Sequence, residues 1–256
     1  MGKDLNLKNP KDFNEKIQWL IVNKYGRKEA KYADKIAVRD YIKEIGCENL
    51  LTKLYGTYNN FDEIDFDKLP EKFVLKTNHD CGSVVICKDK SLFNKEEAKA
   101  KLNKSLKRNF TQVNLEYHYK YIKPMIMCEE YIDDGSGKIP TDYKFFCFNG
   151  NPECVRVGTD RDNLLRLDYY DLEWNYLDYS NEEDKSEKKL EKPKNLNEMV
   201  EIAKKLSKPF QFVRADLYDC NGKIYFGELT LTPSAGLNKH TKQSALDYFG
   251  SLIDIK

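Results

Sequence analysis

Apolar residues recur at helical spacing between Asn9 and Glu29, at Phe13, Ile17, Leu20 and Ile21, and again between Asp34 and Ile45, at Ile36, Ala37, Tyr41, Ile42 and Ile45. Two amphipathic helices are therefore predicted at the start of the chain. The pattern then shortens. Glu71 to Thr77 (EKFVLKT) and Ser83 to Lys88 (SVVICK) are brief apolar runs separated by the turn-like NHDCG, which reads as strand, loop, strand. A charged amphipathic helix is predicted from Lys95 to Asn109 and a strand from Pro124 to Ile132, running into the loop Asp133 to Pro140. Asp142 to Phe148 and Glu153 to Val157 flank Asn149-Gly150, and Phe210 to Tyr218 and Lys223 to Thr230 flank Asn221-Gly222. Asn-Gly between alternating strands is the strongest short signal for a hairpin, so this half should be antiparallel. A helix is predicted from Asn195 to Leu206, and the charged stretch Ser180 to Lys194 reads as a solvated linker.

The whole chain has 256 residues, room for two lobes around a cleft. Lys and Arg number 43 against 42 Asp and Glu, a formal net charge of +1, so no global field favours nucleic acid and any attraction for phosphate must be local. The polar start, MGKDLNLKNPKDFNEK, has no apolar run suited to a secretory signal or membrane span. The seven cysteines include no CxxC pair and are odd in number, which argues against a zinc site and a full disulfide framework and fits a reducing cytoplasm.

Four stretches carry candidate chemistry. In RADLYDCNGKIYFGELTLTPSAG, Arg214 and Asp216 are two apart on one strand, as are Glu228 and Thr230 on the next, so each pair shares a face of the sheet. Hard oxygen ligands of this kind suit Mg²⁺, which shares its coordination with substrate phosphates. An exposed hairpin with cross-strand salt bridges would show the same alternation. In FVLKTNHDCGS, Lys76 ends a strand, and backbone N–H groups of the loop Asn78 to Ser83 could cradle phosphate beside it. ADKIAVR sets Lys35 and Arg39 four apart on one helical face, and IMCEEYID runs an apolar strand into carboxylates. Taken singly, these are also what a surface hairpin, a solvated basic face and an edge strand look like.

In this order, Asp34-Lys35, the FVLK strand and loop, EEYI, DYKFF, and R-x-D followed by E-x-T resemble the ATP-grasp superfamily. More narrowly, NEKIQWL, ADKIAVR, LPEKFVLKTNH, DYKFFCFNG, VRADLY and FGELTLTPSAG look like the TupA-like ATP-grasp branch, which is associated with teichuronopeptide and other surface-polysaccharide loci. The resemblance implies an α+β ATP-grasp fold in which two lobes of mainly antiparallel sheet grip a nucleotide. It implies a helical segment over residues 1–68, a smaller nucleotide lobe over 69–132 and a larger lobe over 133–256. A full preceding α/β domain is not expected, since only 33 residues precede Asp34.

The roles implied are as follows. Lys35 and Lys76 lie on the phosphates, with Lys76 also acting in catalysis, and the loop from His79 to Ser83 closes over them. Glu129, Glu130, Tyr131 and Ile132 give backbone contacts to adenine, Asp142 (or Asp133) holds the ribose, and Lys144 completes the ATP set. Arg214 stabilises the transferred phosphoryl group, and Asp216 and Glu228 hold Mg²⁺ with Thr230 as a neutral third ligand, where many members have Asn. The reaction implied is attack of a carboxylate on ATP, giving an acyl phosphate and ADP, then displacement of phosphate by an amine. The substrates would be small or glycan-linked. Two rivals stand beside this reading: an ATP-grasp kinase, and a glycosyltransferase using the D-x-D of Asp160, Arg161 and Asp162.

Overall fold

Asp12 opens the first helix with a reciprocal cap: its carboxylate accepts from the Glu15 N–H at 2.9 Å, and the Glu15 carboxylate accepts from the Asp12 N–H at 3.4 Å. Burial alone would raise the Glu15 carboxyl, but backbone N–H groups of Lys11, Asn6 and Asp12 outweigh it and hold it below the usual range. The structure, a computed structural model, describes residues 5–109, 111, 115–133, 135, 140–159, 166–187 and 189–255. The D-x-D triplet falls outside them.

The first predicted helix is two. Helix α1 (Phe13–Asn23) stops at Lys24, and α2 (Arg27–Ala33) restarts after Gly26, whose N–H is taken by Glu29 at 2.8 Å. Helix α3 (Val38–Glu44) begins later than its apolar pattern because Asp34 first folds a turn, accepting from the N–H groups of Ile36 and Ala37. Next come β1 (Leu54–Tyr58), β2 (Phe73–Thr77), β3 (Val85–Cys87), α4 (Lys95–Leu106) and β4 (Ile126–Glu130). These strands form an antiparallel sheet in the order β1-β4-β2-β3. Its buried face packs Phe73, Leu75, Ile126 and Cys128 against Ala98 and Leu102 of α4.

A second antiparallel sheet follows from β5 (Asp142–Phe148), β6 (Asn151–Thr159), β7 (Arg166–Tyr170), β8 (Tyr176–Leu177), β9 (Phe212–Cys220) and β10 (Lys223–Thr230), ordered β10-β9-β5-β6-β7-β8. Both Asn-Gly pairs take positive φ at both positions, 49° and 78° at Asn149-Gly150 and 53° and 81° at Asn221-Gly222, the geometry that matches strand twist. One face is covered by α3 and by α5 (Leu196–Ser207) through Met199, Ala203 and Leu206. The other is covered over part of its length by α1 and α6 (Gln243–Leu252), where Phe13, Phe146, Phe148, Phe212 and Phe249 interlock at centroid distances of 4.9–6.3 Å. The rest of that face is polar. The α+β fold of two antiparallel sheets is thus as expected, while β1, β7, β8 and α6 were not predicted. The charged stretch is less loose than its composition implies, since Ser180 bridges to Thr241 and Lys189 reaches the buried Asp168 at 3.1 Å. Among the described residues no helix is long and apolar enough to cross a membrane.

Candidate functional site

The register of the large sheet gathers its polar side chains. Glu228 lies opposite Asp216, Thr230 opposite Arg214, and Lys144 opposite Asp216, so all five stand on the face that α1 and α6 leave uncovered. Strand β10 achieves this only through a bulge. Ile224 and Phe226 point into the core, and strict alternation would send Glu228 after them; the extra residue, Gly227, switches the parity, so Leu229 is buried and Glu228 and Thr230 turn outward. A Cβ on Gly227 would stand 2.9 Å from the Asp216 carbonyl oxygen, closer than real Cβ atoms come, and a tight 3.0 Å from the Tyr218 ring.

On this face charges alternate. Arg214 donates to both Asp216 oxygens, from Nε at 2.7 Å and Nη2 at 2.6 Å, and to Glu228 Oε1 at 3.0 Å. Lys144 donates to Asp216 at 2.8 Å and to Asp142 at 2.5 Å. Burial would raise the Asp216 carboxyl, yet Arg214 and Lys144 prevail and hold it below the ordinary carboxylate range. Burial would likewise lower the Arg214 guanidinium, but Asp216 dominates and drives it upward. Thr230 donates to Glu228 Oε1 at 3.0 Å.

The opposing wall comes from the small sheet and its loop. Lys76, on β2, pairs with Glu129 of β4, which also accepts from Thr52 at 2.9 Å. Lys35 donates to the backbone oxygen of Asp80 at 2.6 Å and stands 3.9 Å from Glu228, spanning loop and hairpin. Asn78 clasps two segments: its side chain donates to Asp34 and, in the stretch before β4, donates to the Lys123 carbonyl and accepts from the Met125 N–H at 2.8 Å. The buried Asp80 carboxylate receives the hydroxyls of Thr77, Ser83 and Ser105, pinning the loop to α4. Between the walls lies a crevice of about 430 Å³, lined by Lys35, Lys76, Lys144, Asp142, Asp216 and Glu228, and on its apolar side by Val74, Ile86, Tyr131, Ile132 and Phe226. Lysines from three separate parts of the chain therefore converge with six carboxylates, those named and Asp80, Glu129 and Glu130, beside an apolar slot.

A family model described as TupA-like ATPgrasp matches residues 15–254. The chain belongs to that family. The fold agrees with a solved D-alanine–D-alanine ligase from Bacillus anthracis complexed with ATP, at 15% identity and TM-score 0.51 over 87% of this chain and 63% of that one. Two further similar structures are a D-alanine–D-alanine ligase from Helicobacter pylori (15% identity, TM-score 0.46, 95% and 70% covered) and a carboxyaminoimidazole ribonucleotide synthase from Aspergillus clavatus complexed with ATP (10%, 0.46, 78% and 45%). The chain spans 63% of the length of the Bacillus anthracis ligase, and at these identities the likeness speaks for the fold alone. No curated protein matches.

The sequence-predicted residues divide. Lys35, Lys76, Ser83, Glu129, Glu130, Tyr131, Ile132, Asp142, Lys144, Asp216 and Glu228 line the crevice of this TupA-like chain. The Ser83 hydroxyl is engaged by Asp80, which lines the crevice as well. Arg214 and Thr230 are not in the lining; they stand two residues further along the same strands and touch the crevice through Asp216 and Glu228. His79 is not part of the lining: it is buried, and burial lowers its pKa despite Asp80 and the Arg108 backbone nearby. Cys81 does line it; enclosure by the loop raises its thiol, with Lys35 opposing. Asp133 lies at the margin, paired with Lys72 at 2.9 Å.

Sequence reasoning missed Asp80, Asn78, Thr52 and the Gly227 bulge. The isolated Gly inside KIYFGELT was a legible bulge signal. Asp80 carried none, because its three hydroxyl partners come from the loop, β2 and α4. As a test for Mg²⁺, the described residues contain no group of three His, Cys, Asp or Glu able to cage a metal. Asp216 and Glu228 nonetheless face each other across one strand pair. That donor set fits Mg²⁺, which is commonly held by one or two carboxylates and completes its shell with phosphate and water.

Proposed function

We propose that this chain is an ATP- and Mg²⁺-dependent carboxylate–amine ligase that works through an acyl phosphate and releases ADP. The observation that carries the reading is the convergence of Lys35, Lys76 and Lys144 on one crevice together with Asp216 and Glu228. Lysines are point charges suited to phosphate oxygens, and the apolar slot of Val74, Ile86, Tyr131 and Phe226 suits a purine ring. The backbone of Glu129 to Ile132 would receive the adenine edge, and Asp142 the ribose. Arg214, held by Asp216 and Glu228, would offset charge on the transferred phosphoryl group. Asp216 and Glu228 would hold Mg²⁺, which when bound neutralises phosphate charge, and the Thr230 hydroxyl would orient Glu228.

The carboxylate oxygen attacks the γ-phosphorus as the bond to the β-phosphate oxygen breaks. The amine then attacks the acyl carbon, phosphate leaves, and the amine proton passes to solvent or a base. Catalysis here is positioning and charge offset rather than acid–base work. The motifs that resemble the TupA-like branch, which is associated with surface-polysaccharide loci, are the ground for taking a surface polysaccharide or its precursor as one substrate and an amino acid or amide as the other. The test incubates the chain with ATP, Mg²⁺ and a panel of uronic acids and amino acids, and follows ADP and new amides by mass spectrometry. A new amide formed with stoichiometric ADP supports the ligase; ADP formed with a stable phosphorylated acceptor and no amide overturns it.

A further inference from the structure

The row of charges on the open sheet face does not end at Lys144. Glu228, Asp216, Lys144, Arg156 and Tyr169 stand opposite one another across β10, β9, β5, β6 and β7. Arg156 is therefore on the same face as the crevice residues, one strand beyond Lys144. At roughly 4.8 Å between strands, its backbone lies about 10 Å from that of Asp216. Arg156 is 8% exposed, and its guanidinium lies against two rings, 5.3 Å from the centroid of Phe146 and 6.0 Å from that of Tyr169. Those rings belong to the core under α1 and α6, so Arg156 stands at the edge of the apolar cover, one strand beyond Lys144, which lines the crevice.

Among the described residues its charge is not answered. No carboxylate, carbonyl or hydroxyl among the described residues forms an ion pair or hydrogen bond with it, and Nε is fully buried without a partner. The other cations on this face differ in this respect: Lys144, beside it on the row, has two carboxylates, and Arg214 has two. Stacking on aromatic rings offsets part of the charge, but ring faces cannot satisfy five in-plane N–H donors. Buried cations in folded proteins are paired, and a planar fork of donors is matched by a carboxylate or phosphate.

We propose that Arg156 is an anion-binding point of the co-substrate, taking a carboxylate or phosphate that this molecule carries in addition to the carboxylate that reacts. The inference rests on the ligase reading for the reacting end and on Arg156 alone for the second charge. It restricts the co-substrate to molecules with two anionic groups a few bonds apart, since the second must reach one or two strands past the phosphate clamp. A dicarboxylic acid and a phosphate-bearing sugar both meet that requirement.

The experiment measures binding of succinate, glutarate, methyl phosphate and acetate by calorimetry to the full chain with ADP and Mg²⁺ present, in the wild type, Arg156→Met and Arg156→Lys. Methionine keeps a flexible apolar contact with the rings and removes the charge. We expect a dianionic probe to bind the wild type more tightly than acetate, Arg156→Met to lose about tenfold or more of that affinity, Arg156→Lys to lose less, and ADP affinity to stay within about twofold. Preference for succinate or glutarate assigns a dicarboxylate, and preference for methyl phosphate assigns a phosphate ester. Equal binding of the dianions by wild type and Arg156→Met, with ADP bound in both, overturns the assignment. A wild type that fails to bind ADP while retaining Arg156-dependent dianion binding counts against the ligase reading and not against this site. If Arg156→Met does not fold, phenylglyoxal labelling of the wild type decides: Arg156 protected by succinate or methyl phosphate but not acetate supports the site, and indifference to all three overturns it.

Discussion

The two walls of the crevice reach the same end by different means. On the large sheet, Lys144, Arg214, Asp216, Glu228 and Thr230 are aligned by strand register, and each satisfies its neighbour within one face. On the small-sheet side, Lys35 and Lys76 come from parts of the chain 41 positions apart: Lys76 is paired with Glu129 of the neighbouring strand, and Lys35 donates to a loop that is tied down at Asn78 and Asp80. A sheet face is rigid because its ladder is; a loop is rigid only when every buried polar group finds a partner. The hairpin wall should therefore fail through charge, and the loop wall through loss of hydroxyl and amide bonds.

The largest effect is expected on the hairpin. Asp216→Asn should lower Mg²⁺-dependent ADP formation by at least about a hundredfold. It should also cost about 3–5 kcal/mol of stability by leaving Arg214 and Lys144 short of a buried partner, read from urea denaturation. Glu228→Gln, whose side chain is 36% exposed, should lose comparable activity with a stability change below about 1 kcal/mol. Wild-type turnover in the folded Glu228 variant would remove the metal assignment.

Outside the crevice lining, His118 is buried against Tyr25 and Tyr119, with its pKa driven down to about 4 by burial. The unfolded chain takes up its proton near 6.5, so the folded state is favoured fully above that pH and loses the contribution as pH falls toward 4. About 3 kcal/mol should disappear across this window, and His118→Leu should flatten the slope. An unchanged pH profile in the leucine variant would show that His118 is not the source.

On the loop wall, Asp80→Ala should cost about 1–3 kcal/mol by stranding the hydroxyls of Thr77, Ser83 and Ser105. ADP affinity should fall with it while the hairpin ion pairs persist. The smallest effect sharpens the contrast from the other side. Gly227→Ala should cost about 1–2 kcal/mol through its approach to the Asp216 backbone, with loss of activity exceeding what the melting temperature alone would suggest. Full activity in that variant would mean that the bulge is not what aims Glu228.

Much of this was legible beforehand because it is governed by short-range rules. The Asn-Gly turns, the strands Asp142–Phe148 and Lys223–Thr230, and the shared face of Arg214 and Asp216 follow from turn chemistry and a period of two. Strand β1 escaped notice because Leu54–Tyr58 contains Gly56 and a register shift that break its alternation. Helix α6 is buried on one side by the phenylalanine cluster, a contact that its own ten residues do not announce. His79 looked like part of the phosphate loop by position and is instead turned into the interior.

By itself the chain's order of residues determined the two antiparallel sheets, the hairpin carrying Arg214, Asp216 and Glu228, and membership in the family, since these depend on periodicity, turns and motif spacing. Tertiary structure alone decided that Lys35 spans Asp80 and Glu228, that three hydroxyls converge on Asp80, and that Arg156 stands buried without a partner among the described residues. Those facts depend on which distant groups meet and which do not. Pairing across long loops is set by packing of the whole chain, and no local pattern encodes it.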